Sequence, residues 1–292
     1  MMKLLYNMVV RNLKLYLRDK AAVFFSFLSV IIILAMYILF LGKMQSNFLS
    51  NDFGIGEAKD WMVAAWIMAG ILMVSTVTIP LGAVGKLIDD RTNGVLNDFY
   101  AAPINRNILA LSYLISAWVI GFIMVMANFV IGQAYVLSQG GEFMTLLEYA
   151  KVIGLILLSI MTFSSLFFFL SLYIRSSNAY GTLSTLVGTF IGFLGGIYIP
   201  IGVLGENVQK VMNVLPTAHA VTIMRRVYMA GAIDSAFGDL PEEAYETYAY
   251  WYGMDIYIGD FEMQNWQMLA SMILFMVVFY ILSVIKLRNS KL

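Results

Sequence analysis

Six apolar stretches, each about 20 residues or longer and so able to cross a hydrocarbon layer of roughly 30 Å as helix, dominate this sequence. They are residues 21–41, 61–81, 108–137, 150–173, 179–200 and 267–286. Of the 292 residues 61% are hydrophobic and only 12% charged, about half the charge of an average soluble domain. So few charges cannot clothe a water-facing surface. A soluble globule, a nucleic-acid binder and a disordered chain are excluded, and one all-α integral membrane domain over 1–292 is expected.

A net charge of zero hides a segregation. The N-terminal segment, residues 82–107, the Arg175 turn and the tail from Lys286 hold 12 Lys/Arg against 4 acids, while the other three connections, with Lys151 at the start of the fourth stretch, hold 6 against 14. Cationic loops stay cytoplasmic, which places both termini inside a cell membrane of the plasma or bacterial inner type. The first apolar run is too long for a signal-peptide core and reads as a retained anchor. Ahead of it, within residues 1–20, Leu5, Met8, Val9, Leu13, Tyr16 and Leu17 recur at helical spacing, with Arg11, Lys14 and Arg18 on the other face. This pattern predicts an amphipathic helix in the cytoplasmic interface, or more simply a positive flank of the first span. Ile174–Asn178, with Arg175 and a Ser-Ser-Asn cluster, predicts a tight turn between spans four and five.

Catalytic signatures are missing. There is no cysteine, His219 is the single histidine, and no HExxH occurs. Gly85-Lys86 is followed by Leu87, which is no P-loop. No catalytic group, cofactor or metal is therefore expected in this chain. His219 reads as a hydrogen-bonded structural residue, with a lone general base as the alternative. Span interiors lack Asp, Glu, Lys and Arg, which weighs against an ion-coupled carrier, since ions need somewhere to bind; backbone carbonyls at broken helices keep that alternative open. Most of the neutral polar residues read as interhelical glue. Asn128 and Gln133, the bulkier amides, are candidates for lining a polar route. Ser184, Gly188, Gly192 and Gly196 recur every four residues in span five and predict a flat stripe for helix packing or dimer contact. Gly195-Gly196 and Pro200 allow the outer end of that span to unwind.

Residues 82–107 carry the most information. Asp89, Asp90 and Arg91 end a helical run continuing from span two, Asn93-Gly94 breaks it, and residues 95–101 form a short helix stopped by Pro103. Val95, Leu96, Phe99 and Tyr100 give this helix an apolar character that needs covering, by a second protein or by the membrane surface.

The order Asp89-Asp90-Arg91, Gly94, Leu96, then Ala102-Pro103-Ile104 and Arg106 resembles the first cytoplasmic loop of the membrane subunits of type-2 ABC exporters. Asn213-Val-Leu-Pro216 through Arg225 is similar to that family's Leu-Pro…Arg segment, and the arrangement of spans agrees over essentially the whole chain. The Asp-Asp pair departs from the family's commoner acid pattern. The resemblance implies six transmembrane helices with an interfacial helix (1–20), a coupling helix in the loop (82–107) and a large outer loop (201–266) bearing short re-entrant helices. It implies two membrane subunits, identical or paralogous, on two copies of a separate ATPase that carries ATP and Mg. Docking to that ATPase falls to Asp90, Arg91, Gly94, Val95, Leu96, Phe99, Tyr100, Pro103 and Arg106.

The 66-residue outer connection is too long for a plain link. Its second half has eight acids, no Lys or Arg, and Tyr245, Tyr248, Tyr250, Trp251, Tyr252 and Tyr257. An aromatic belt with solvated acids, a cap over the exit, and a surface for cationic or sugar-bearing substrates all fit. Residues 211–224 are apolar enough to re-enter the outer leaflet, which would bring Pro216 and His219 near the exit as pathway candidates. A route of apolar and hydroxyl side chains suits amphipathic drugs, antibiotics or antimicrobial peptides, with lipid-linked glycans second.

Overall fold

A computed structural model describes residues 2–56, 58–101 and 105–289. The centre of the fold is α4 (Lys59–Thr92), 34 residues long, whose best apolar window is 94% buried. Packed on it are α2 (Lys20–Met36), α6 (Arg106–Ser138), α7 (Leu146–Ser171) and α8 (Ser177–Leu194), with α13 (Asn265–Asn289) on the flank of α7. The windows of the α2 and α13 spans are only about 18% and 17% buried. Their outward side chains, Phe24, Phe25, Ile31 and Ile32 on α2 and Leu274, Ile281 and Ile285 on α13, are exposed. Apolar residues on every face of α4 and on one side of α2 and α13 fit a bundle immersed in lipid, where apolar exposure carries no penalty.

Among the described residues five helical stretches, not six, are long and apolar enough to cross a membrane. The exception is α8, the expected fifth span. It has 18 residues rich in Gly, Ser and Thr, and at 1.5 Å per residue it rises about 27 Å. It stops at Leu194 rather than reaching Pro200, because Gly196 turns back with φ +62°, a conformation open to glycine at little cost. The first span overruns its expected end at residue 41. It passes through a π-helical turn, Tyr37–Leu41, into α3 (Gly42–Phe53). The turn at residues 174–178 forms as the sequence indicates, with the Ser176 hydroxyl accepting from Ala179 N–H to cap α8.

α1 (Met2–Arg18) packs chiefly on α6. Its buried face is Met8, Asn12 and Tyr16, while Leu17, expected on that face, is exposed. Asn12 is held because its Nδ2 donates to Ser116 Oγ at 3.1 Å. α5 (Val95–Ala101) follows α4 through a turn at Gly94, φ +77°.

The long connection, residues 201–266, folds into α9 (Glu206–Asn213), α10 (Pro216–Tyr228), α11 (Ala230–Phe237) and α12 (Glu242–Tyr252). A two-residue antiparallel pair, β1 (Tyr257–Ile258) with β2 (Phe261–Glu262), corrects the all-α expectation. α10 packs against α4, α13 and α7, so this region is continuous with the bundle core. Tyr248 and Tyr252, expected at a surface, stack at 4.4 Å between ring centroids inside that core, whereas Tyr250, Trp251 and Tyr257 are exposed.

Candidate functional site

Two polar assemblies grip the ends of α4. At the end bearing α5, Asp90 faces Arg11 of α1 in a two-pronged ion pair, 2.7 Å from Nη1 to Oδ2 and 3.1 Å from Nη2 to Oδ1. The Tyr113 hydroxyl of α6 donates to the same Oδ2. The hydrogen bond to Asp90 raises the Arg11 pKa further, so this cation is permanent. A second cluster lies one turn away. Lys86 bridges Asp19 at 3.1 Å and Asp89 at 3.8 Å, and Ser177 Oγ donates to Asp89. Asp19 also caps α2 by accepting from Ala22 N–H; that bond, then Lys86, holds its carboxyl below the usual range. Arg91 donates to the carbonyls of Ser171 and Ile174, groups left over where α7 ends.

This geometry gives the expected docking residues contacts within their own chain. Asp90 and Arg91 face inward and tie α4 to α1, α6 and α7. Leu96 is 3% exposed, in a cluster with Met8, Leu87, Leu109, Tyr113 and Phe168. Val95 and Phe99 are half-buried, and the Arg11 guanidinium lies 5.3 Å from the Phe99 ring centre. Leu96 is therefore covered by its own chain, and Val95 and Phe99 in part. Among the described side chains of α5, Asn97, Asp98 and Ala101 are exposed. Pro103 lies outside the described residues, as do the side chains of Tyr100 and Arg106.

At the opposite end the buried charge is Arg225, with no exposed surface. Its guanidinium donates to the carbonyls of Tyr252 at 3.0 Å, Gly196 at 2.8 Å and Gly195 at 3.4 Å, and stacks 4.4 Å from the ring centre of Trp66. Burial lowers its pKa to about 10. The Tyr37 hydroxyl holds the next carbonyl, that of Ile197. Three successive peptide oxygens after α8 are thus each met by a buried donor. His219 is buried too, between Ser271 Oγ and the carbonyl of Asn213, and burial lowers its pKa. That is the structural alternative of the sequence reading. Pro216 occupies the first position of α10.

The remaining candidates are dispersed. Asn128 donates to Ser75 across the α4–α6 seam, fully buried. Gln133 reaches Glu142 and Tyr228 beside a cavity of about 220 Å³. The expected glycine stripe does not hold as one face. Gly196 sits in the turn, Gly192 is covered by Tyr198 of the same chain, and a Cβ at Gly188 would meet nothing within 4 Å. Ser184 and Gly188 instead border an open groove of about 430 Å³ between α2 and α8, with Phe25, Ile33, Thr78 and Tyr198 along it and Lys86 and Asp89 at one end.

An ABC-2 type transporter family model matches residues 3–229. The chain belongs to that family. It is a multi-pass membrane permease component, and membership implies an ABC ATPase as partner. Among curated proteins no match is found. The matched ABC-2 region runs from α1 to the end of α10 and so includes the Asp90 assembly and, of the other, Arg225 with Trp66 and the turn after α8. Arg225 was visible in the sequence only as the end of the Leu-Pro…Arg segment. Arg11 and Tyr113 gave no signal as a pair, because Asp90, the partner of both, lies far from Arg11 and from Tyr113 in sequence.

Proposed function

We propose that this ABC-2 permease is one half of the membrane domain of an ATP-driven exporter of amphipathic compounds. It crosses the membrane six times, α8 being the short fifth crossing, with both termini cytoplasmic. It pairs with a second copy or a paralogue above two ATPase subunits that hold ATP and Mg. The observation that carries this reading is the Asp90 assembly, which fastens α5, α1, α6 and α4 into one unit. A nucleotide-driven push on the outward residues Asn97 and Asp98 then has a rigid body to act on, through contacts beside the α1 helix. The α2–α8 groove supports the substrate class. Its walls are aromatic, aliphatic and hydroxyl-bearing, and its ion pairs sit at the cytoplasmic end alone, which suits a molecule with a large apolar body. The exposed Tyr250, Trp251, Tyr257 and Trp266 favour lipid-linked glycans as the second reading, since such rings stack on sugars.

The test is purification of the tagged chain from its native membranes in mild detergent. A stoichiometric P-loop subunit with vanadate-sensitive ATP hydrolysis is expected. Transport that persists without any ATPase and collapses with the ion gradient would overturn the proposal in favour of a secondary carrier.

A further inference from the structure

At the end of the bundle away from α5, a cavity of about 440 Å³ opens between the α2–α3 junction, the first turns of α4 and the last turns of α6. Its size lies within the roughly 300–1,000 Å³ range of ligand pockets. Lys43 and Lys59 both line it, and among the described residues neither has an ion-pair partner. Asp60 lines it as well, but its Oδ1 is engaged at 2.6 Å by the Ser46 hydroxyl. Among the described lining residues two cations face one anion, at the end of the bundle whose connections hold more acids than bases. Asn47, Tyr135 and Gln139 add neutral donors at its rim. α4 begins at Lys59 with no side-chain cap, so its first N–H groups are open to an anion.

The apolar side of the cavity is as informative. Ile38 lines it, and the adjoining Leu39 and Phe40 are 66% and 72% exposed on the outward face of the π-helical turn. A ligand seated on the lysines therefore has an apolar track leading directly from its binding point into the lipid. We propose that this cavity binds the phosphate of an acidic phospholipid, Lys43 and Lys59 meeting the headgroup and the acyl chains descending past Ile38. A free anion would use the lysines but not the track. That the lipid comes from the outer leaflet rests on the topology proposed above; the binding itself does not.

Two measurements separate these. Native mass spectrometry of the purified full-length protein reads retention of phosphatidylglycerol against phosphatidylcholine. Phosphatidylglycerol is expected to be held more strongly, by about fivefold for each lysine, since a lysine near a lipid phosphate contributes about 1 kcal/mol. Lys43→Gln with Lys59→Gln should bring the two lipids level, and Asp60→Asn should increase phosphatidylglycerol retention by removing a like charge. Equal retention of both lipids by the wild type, or unchanged retention in the double variant, overturns the site. Displacement of the lipid by millimolar inorganic phosphate overturns the lipid assignment and leaves an anion site. Separately, the chain has no cysteine, so Asn47→Cys gives a single label position. Its reaction with an impermeant maleimide on intact cells is expected; reaction only after the cells are opened overturns the outer-leaflet placement.

Discussion

Replacing Arg225 by methionine removes the only donor that the carbonyls of Gly195 and Gly196 have among the described residues, while Tyr252 O keeps its bond from Trp66 Nε1 at 3.1 Å. Two buried carbonyls left unpaired cost about 1–3 kcal/mol each, and loss of the desolvated stacking on Trp66 costs about 1–2 kcal/mol more. Against this, a guanidinium pulled down to about 10 by burial returns roughly 3 kcal/mol of desolvation when it is removed. The balance is a destabilisation of about 2 kcal/mol, or about 4–8 °C in melting temperature for a domain of this order of size. Arg225→Lys should do no better than methionine. The ammonium keeps the burial cost yet lacks the planar fork that spans carbonyls on two separate segments. Intrinsic tryptophan fluorescence of the detergent-solubilised protein is the assay, since Trp66 lies against the substituted side chain. A lysine variant melting with the wild type, or a methionine variant within about 1 °C of it, would refute the role given to the fork.

Leu96→Ala should lower thermal stability by about 2–4 kcal/mol, as a buried leucine does, whereas Asp98→Lys should leave the melting temperature unchanged and reduce substrate-stimulated ATP hydrolysis in the reconstituted complex. Failure of that split would move the docking surface away from α5. Gly188→Leu should alter the oligomer on detergent sizing, because a Cβ there meets nothing within 4 Å of its own chain, while Gly192→Ala should act on stability through Tyr198, whose ring lies 2.3 Å from the added carbon. Burial lowers the His219 pKa below its ordinary value of 6.5. The unfolded chain therefore binds the extra proton first, and the stability contribution is complete above about 6.5 and declines as pH falls below it. His219→Gln should flatten that part of the stability profile, and an identical slope in both proteins would exclude His219 as its source.

Hydropathy made the long helices legible because apolar length is a local property. The same locality leaves α5 undecided. Its apolar residues demand a cover, and the sequence cannot say that Met8, Leu109 and Phe168, from three different helices, already enclose Leu96. Asp90 and Arg91 were marked as important by their motif. Their work is internal, and only the fold brings Arg11, Tyr113 and the carbonyl end of α7 to them. The glycine spacing in α8 failed for a related reason. A four-residue period guarantees one face only while the helix continues, and Gly196 lies beyond its end.

The two polar assemblies share one helix, and this decides how motion can pass between them. Asp89, Asp90 and Arg91 lie near one end of α4, and Trp66 lies near the other. At 1.5 Å per residue the 24-residue separation of Asp90 and Trp66 is about 36 Å. The helix is not uniform along that length. Pro80 lacks the N–H that would serve the carbonyl of Thr76, and just before it Ser75, Thr76 and Thr78 each turn their hydroxyl back onto an earlier carbonyl. This break in the ladder is closely packed on the side of α6 and α7, while Thr78 and Ile79 beside it border the α2–α8 groove. Gly121 of α6 brings its backbone so close that a Cβ would lie 3.1 Å from both Pro80 and Ile160. A helix broken in hydrogen bonding but clamped by close packing cannot bend there without displacing α6 and α7 as well. Displacement of the α1–α5 end must therefore carry α4, α6 and α7 together, and it arrives at Trp66, where Arg225 holds the turn after α8. The alternative, independent flexing of α4 at its proline, would require the space at Gly121 that its neighbours occupy.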